Sequence, residues 1–329
     1  MPLPPFASRI RAIAAAYPEL LAVVAAAIIG LTVQRPRAWL AGHPGINVLL
    51  AILVFATAVT IDPAALGRLV SAWRSLVVAL VVGITVLPAL AWAVSRIVGA
   101  GPLRDGVLVM GLAPCEIASV ATTAMAGGEA AVSAGVLIGS TLTAVALAGP
   151  ILTLEAGRAG VSPGGIIVNL ALVVALPLAV GLAARASAAR LAATRFLSTP
   201  RAEAVASRTA LAAVAALVAL IAAEVRLSVA YLAVAAALLI FLLASALAGR
   251  LLGVRTTRPT ATALLLTTSM RDFAIAAGLA AAAFGPAAAA PLGLYGVAVL
   301  VWGTAVAGVL RQRAARATPR AQELNTELS

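Results

Sequence analysis

An arginine and an aspartate stand side by side, Arg271 and Asp272, in a segment otherwise built to avoid water. Leu264 to Leu266 precede the polar island Thr267-Thr268-Ser269-Met270-Arg271-Asp272, and Gly278 to Phe284 follow it. No loop is at hand to carry these charges into solvent, and ionisable groups at membrane depth are costly enough to read as functional by default. A second island, Ala113-Pro114-Cys115-Glu116-Ile117-Ala118-Ser119-Val120-Ala121-Thr122-Thr123, interrupts an apolar span in the N-terminal half. Interrupted apolar segments in corresponding places of two halves point to a transporter's binding site.

The chemistry open to these residues is ion and anion binding. Pro114 lacks a backbone donor and clashes with the preceding turn, so a helix break is expected there. At helical spacing Glu116, Ser119 and Thr123 share one face, Arg271 shares one with Thr267, Thr268 and Ala274, and Asp272 shares one with Thr268 and Ser269. Neighbours in sequence do not face each other on a helix, so Arg271 and Asp272 are expected to have different partners, with Glu116 the candidate for Arg271. Fully ionised, Glu116, Asp272 and Arg271 would leave a net charge of −1 in a low-dielectric place; one carboxylate then holds a proton or faces a cation, so H+ or Na+ is the candidate coupling ion. The plainer alternatives are that Arg271 and Asp272 only fix helix packing and that Glu116 sits near an interface.

Composition supports a membrane setting. Of 329 residues, 63% are hydrophobic and only 10% charged, against about 25% in a soluble domain. The net charge of +12 is carried by arginines between apolar spans, a topology signal rather than a nucleic-acid footprint. One cysteine, Cys115, excludes an intrachain disulfide, and with one histidine, His43, between spans, no metal or other cofactor is expected.

At about 20 apolar residues per span, helices are expected near 19–34, 44–61, 75–97, 104–126, 129–154, 164–184, 205–223, 227–249, 260–283 and 287–310. With the N-terminus inside, sixteen arginines fall in cytoplasmic segments and six outside, leaving Arg271 within a span. That bias follows the positive-inside rule and puts both termini in the cytoplasm. The polar connection 185–204 splits the chain into two sets of five, and an odd number per half gives opposite orientations, the arrangement of inverted repeats. The fold class expected is therefore an all-α polytopic membrane protein of about ten transmembrane helices, its islands in the fourth and ninth.

At the islands the chain resembles the bile acid:sodium symporter family. The resemblance runs through Pro114, Ala118-Ser119, Gly127-Gly128, Ser140-Thr141-Leu142-Thr143 and Met270 to Leu279, with weaker echoes at Phe55 to Thr60 and Leu87 to Leu90. It implies two inverted five-helix repeats whose broken fourth and ninth helices cross. It also implies a panel of 1–61 and 159–225, a core of 62–158 and 226–312, and a cytoplasmic tail at 313–329. Substrate, a bile-acid-like or other organic anion, would sit beside the crossover.

Ser119 and Ser133 match hydroxyls of the family's sodium sites. The asparagine expected after the first is Val120, and the threonine expected one turn after the second is Leu137. On the ninth helix Thr267 replaces a glutamate, Arg271 a glutamine and Asp272 an asparagine, while Gly83 replaces a glutamine on the third. The guanidinium of Arg271 would then stand where relatives bind sodium.

The expected function is thus secondary transport of a small organic anion across the cytoplasmic membrane, with degenerate sodium sites, membrane lipid as surroundings and no nucleic-acid partner. Glu116, Ser119, Thr123, Ser133, Thr267, Thr268, Arg271 and Asp272 are its candidate binding residues, and Pro114 marks the break. Arsenite export is the alternative, because exporters in the wider superfamily resemble this chain in carrying a cysteine where Cys115 stands. An intramembrane enzyme is less favoured, since Glu116 and Asp272 lack a histidine companion.

Overall fold

The computed structural model describes residues 18–32, 43–61, 72–156, 162–188, 199–223 and 228–327. In chain order the helices are α1 (Pro18–Thr32), α2 (His43–Thr60), α3 (Trp73–Ser95), α4 (Pro102–Val109), α5 (Ser119–Met125), α6 (Ala130–Ala156) and α7 (Pro163–Ala188, with one π turn at Ala171–Ala175). They continue as α8 (Pro200–Ala223), α9 (Ala230–Leu252), α10 (Arg258–Ser269), α11 (Phe273–Phe284) and α12 (Ala290–Glu327). Among the described residues there is no strand beyond one isolated bridge, and six helices are long and apolar enough to cross a membrane.

Most expected spans match a single helix. The span expected at 104–126 is instead α4, a 3-10 turn at Met110–Leu112, extended chain and α5; that at 260–283 is α10 and α11 around a non-helical Met270 to Asp272. Both breaks have a local cause. Ala113, which precedes Pro114, is extended, as a proline's steric demand on its neighbour requires. Asp272 leaves the helix to cap α11: its Oδ1 accepts from the Ile275 N–H at 2.8 Å.

Other boundaries shift too. His43 opens α2 rather than lying between spans, and α8 begins at Pro200, five residues before its expected start. The segment from 313 continues α12 to Glu327. Across the 185–204 connection Arg185 pairs with Glu203; residues 189–198 between them lie outside the described residues. So do Arg9, Arg11, Arg35, Arg37, Arg68, Arg158, Arg190, Arg195 and Arg226 of the orientation argument.

Two groups of helices form the body. α2 and α8 pack on each other, α8 also on α1, and α7 on α2; the breaks are enclosed by α3, α6, α9, α10 and α12. Small residues allow the close approaches, as expected where helices associate by packing rather than by expelling water. The tightest useful case is Gly249 on α9, where a Cβ would lie 2.8 Å from the Leu264 carbonyl oxygen and 3.0 Å from Thr268 Cβ. Replacing Gly249 by Val should therefore force α9 from α10 and cost about 1–3 kcal/mol. Thermal unfolding in detergent should show a lowered midpoint, with Gly99→Ala, where no atom lies within 4 Å of the new methyl, as the unchanged control.

Candidate functional site: the crossing of two broken helices

Breaking a helix inside a bilayer leaves backbone donors and acceptors without water, and each must find a partner in the protein. Here the two breaks satisfy each other. Glu116 N–H donates to the Met270 carbonyl at 2.8 Å and Asp272 N–H donates to the Pro114 carbonyl at 2.9 Å, so Cys115 and Arg271 face each other in an antiparallel bridge. The two islands, about 150 residues apart in sequence, thus meet through their main chains.

The side chains at this bridge then diverge. Arg271 is 4% exposed, and its Nη2 donates to the Ala113 carbonyl at the first break. Its Nη1 lies 3.8 Å from where a Cβ on Gly83 would be, so the missing side chain on α3 makes room for the guanidinium. Leu80, Pro88 and Ser140 complete a crevice of about 10 Å³ on this side, space for about one water.

Glu116 faces elsewhere. It lines a cavity of about 410 Å³ bounded by residues of α1, α2, α8, α6 and α12, among them Leu53, Thr57, Ser207, Leu211, Phe273 and Leu300. That volume lies within the range of small-molecule sites. The side chain is buried, Glu116 being 5% exposed, yet its Oε2 accepts from no partner. The expected Arg271–Glu116 pair does not form: among the described residues no ion pair joins them. The cavity's lining includes Glu116 but not Arg271.

Helical spacing fails at both islands for one reason, that the residues concerned are not helical. Glu116 precedes α5 and does not share a face with Ser119 and Thr123, which are fully buried. Thr123 donates to Ser133 on α6 at 3.3 Å, and Ser119 Oγ lies 3.7 Å from Cys115 Sγ. Arg271 likewise shares no face with Thr267 and Thr268. Thr267 is bonded back to the Ala263 carbonyl at 2.7 Å, and Thr268 packs toward Gly249 on α9. Asp272 divides its carboxylate between a cap and a free oxygen, Oδ2 being buried without a partner.

Three residues that were not among the candidate binding residues hold the crossing, Ser140 having been expected only as part of the resemblance. Tyr295 on α12 is fully buried; its hydroxyl donates to the Ser269 carbonyl at 3.1 Å and accepts from Arg271 N–H at 3.4 Å. Trp302 Nε1 donates to Ser269 Oγ at 3.1 Å. Ser140 is bonded back to Leu137, as a helical serine should be, and its oxygen also accepts from Cys115 N–H at 3.0 Å. The available signal was chemical: a tyrosine or tryptophan in an apolar span carries a polar tip that needs a partner.

The family model described as "Sodium Bile acid symporter family" matches residues 47–252, more than half the chain and inclusive of the first break. No individual curated protein matches.

Removing the Tyr295 hydroxyl tests its hold on the second break. Tyr295→Phe would leave the Ser269 carbonyl and the Arg271 N–H without their partner, a loss of about 1–3 kcal/mol for buried groups. Its unfolding midpoint in detergent should drop accordingly; a wild-type midpoint would mean that the hydroxyl contributes nothing to the crossing.

Proposed function

The chain belongs to the sodium bile acid symporter family of membrane transporters, and from that premise we propose that it is a secondary active transporter of a small organic anion that does not depend on sodium. The observation that carries the transport reading is the 410 Å³ cavity set directly against two crossing helix breaks. Unwound backbone is tolerated at membrane depth where it is buried in protein or lines such a cavity. The apolar wall suits the body of a bile-acid-like carboxylate or sulfate, and the hydroxyls of Thr57, Thr60 and Ser207 suit its polar substituents.

Independence from sodium rests on Arg271. Its guanidinium occupies the carbonyl that the first break frees, so the crossing already contains a cation. Ser119, Thr123, Ser133 and Thr267 are fully buried, and the hydroxyls of Thr123 and Thr267 donate within the protein. In this reading the described helices form about ten spans in two inverted repeats. The panel comprises 1–61 and 159–225, the core 62–158 and 226–312, and both termini face the cytoplasm of the inner membrane. The break opened by Pro114 and the groups at Glu116, Arg271 and Asp272 then form the moving centre.

No observation favours the other two readings. Cys115 is fully buried and does not line the cavity, which leaves metalloid export without an accessible thiol. An enzyme would need a nucleophile beside a general base, and among the described residues the cavity offers Glu116 alone as a titratable group.

Thermal unfolding of the purified protein in detergent, with sodium exchanged for choline and with cholate or a sulfated steroid added, separates these readings. An anion at 100 times its Kd should stabilise by about 2.7 kcal/mol, and sodium should change nothing. Arg271→Gln should confer a sodium response that the wild type lacks. Stabilisation of the wild type by sodium in the millimolar range would overturn the sodium-independent part of the proposal.

A further inference from the structure

Among the described residues that line the cavity beside the crossing, one is charged, and it is an acid. Glu116 is 5% exposed with Oε2 unpartnered, while Asp272, which follows the other partner of the same Cys115–Arg271 bridge, is fully buried with Oδ2 unpartnered. Ionised together, the two would place two negative charges in a low-dielectric site. The single guanidinium nearby is turned to the other side of the bridge, toward Gly83 and Ala113. An unpaired buried charge of this kind costs far more than a protonated carboxyl with a hydrogen-bond partner.

We propose that Glu116 and Asp272 form a proton-sharing carboxyl pair, with Glu116 the member that exchanges its proton with the cavity and meets the cargo. This rests on the transporter reading and deepens it, by naming the coupling ion and the residue that carries it. In the protonated state Glu116 donates O–H to a carboxylate or sulfate oxygen of the cargo; in the ionised state it repels that oxygen. One proton is taken up at Glu116 with the anion on one side and released with it on the other. Only an O–H bond is made and broken.

The division of labour between the two acids follows from their contacts. Asp272 Oδ1 is committed to Ile275 N–H as the cap of α11, and Asp272 does not line the cavity. Glu116 does line it, and its Oε2 carries no such commitment. The other titratable or charged groups near the pair are Arg271, Cys115 and Tyr295. Glu155, Arg201, Glu203, Arg208 and Arg311, on the helices packed around the cavity, do not line it.

The test is infrared difference spectroscopy of the reconstituted protein across a pH titration, which reads protonated carboxyl groups without needing a cargo. The wild type should show a buried carboxyl carbonyl band that titrates, absent in Glu116→Gln and displaced in Asp272→Asn. Glu116→Gln keeps the size and shape of the side chain, and its unfolding midpoint reports whether it folds. No titrating band in the wild type, or one unchanged in Glu116→Gln, would overturn the proposal.

Cholate then separates this inference from the transport reading. If cholate stabilises the wild type more at low pH and Glu116→Gln equally at every pH, both stand. Cholate stabilisation with the same pH dependence in both proteins would overturn the role of Glu116 while leaving an anion site. A Glu116-dependent band without cholate stabilisation would uphold the carboxyl pair and count against the bile-acid-like cargo.

Discussion

The main-chain bridge between Cys115 and Arg271 is the contact on which the rest depends. Each helix break, taken alone, would strand amides and carbonyls in a region without water; exchanging Glu116 N–H for the Met270 carbonyl and Asp272 N–H for the Pro114 carbonyl removes that cost for both. A further carbonyl at the first break, that of Ala113, is taken by the Arg271 side chain, and the Tyr295 hydroxyl donates to the Ser269 carbonyl at the second. The breaks are therefore mutual requirements: neither is stable in the form seen without the other.

That arrangement sorts the polar residues by side. Toward α3 and α6 lies a nearly filled crevice holding the guanidinium, with Gly83 providing its space. Toward α1, α2 and α8 lies an open cavity whose only acid among the described residues is Glu116. A cation held on one side and an acid lining the cavity on the other give the crossing a polarity. Of the buried Arg271 guanidinium, Nη2 donates to the Ala113 carbonyl while Nε has no partner, and among the described residues no carboxylate forms an ion pair with it.

The sequence disclosed where the helices fail and misled on which way the side chains point. Pro114 is a local signal from which a break follows by backbone sterics, whereas the break at Met270 to Asp272 was implied only by the resemblance, and its cause, the cap that Asp272 makes on α11, is seen in the structure. The apolar runs likewise give most helices to within a few residues, since burial in lipid demands their length and composition. Faces drawn at helical spacing for Glu116, Ser119 and Thr123, or for Arg271 with Thr267 and Thr268, assumed the regular dihedrals that these breaks abolish. The contributions of Tyr295, Trp302 and Ser140 were invisible for a different reason: they depend on which distant helix packs over the break, and no local pattern encodes that.

The claim at the centre is that a tethered guanidinium replaces a bound alkali cation at the crossing. Equilibrium binding of radiolabelled sodium to the purified wild-type protein tests it most directly. Binding that never saturates and is not displaced by excess unlabelled sodium is the predicted result. Saturable, displaceable binding with a fixed stoichiometry would contradict it, because the crossing would then hold a metal ion beside Arg271.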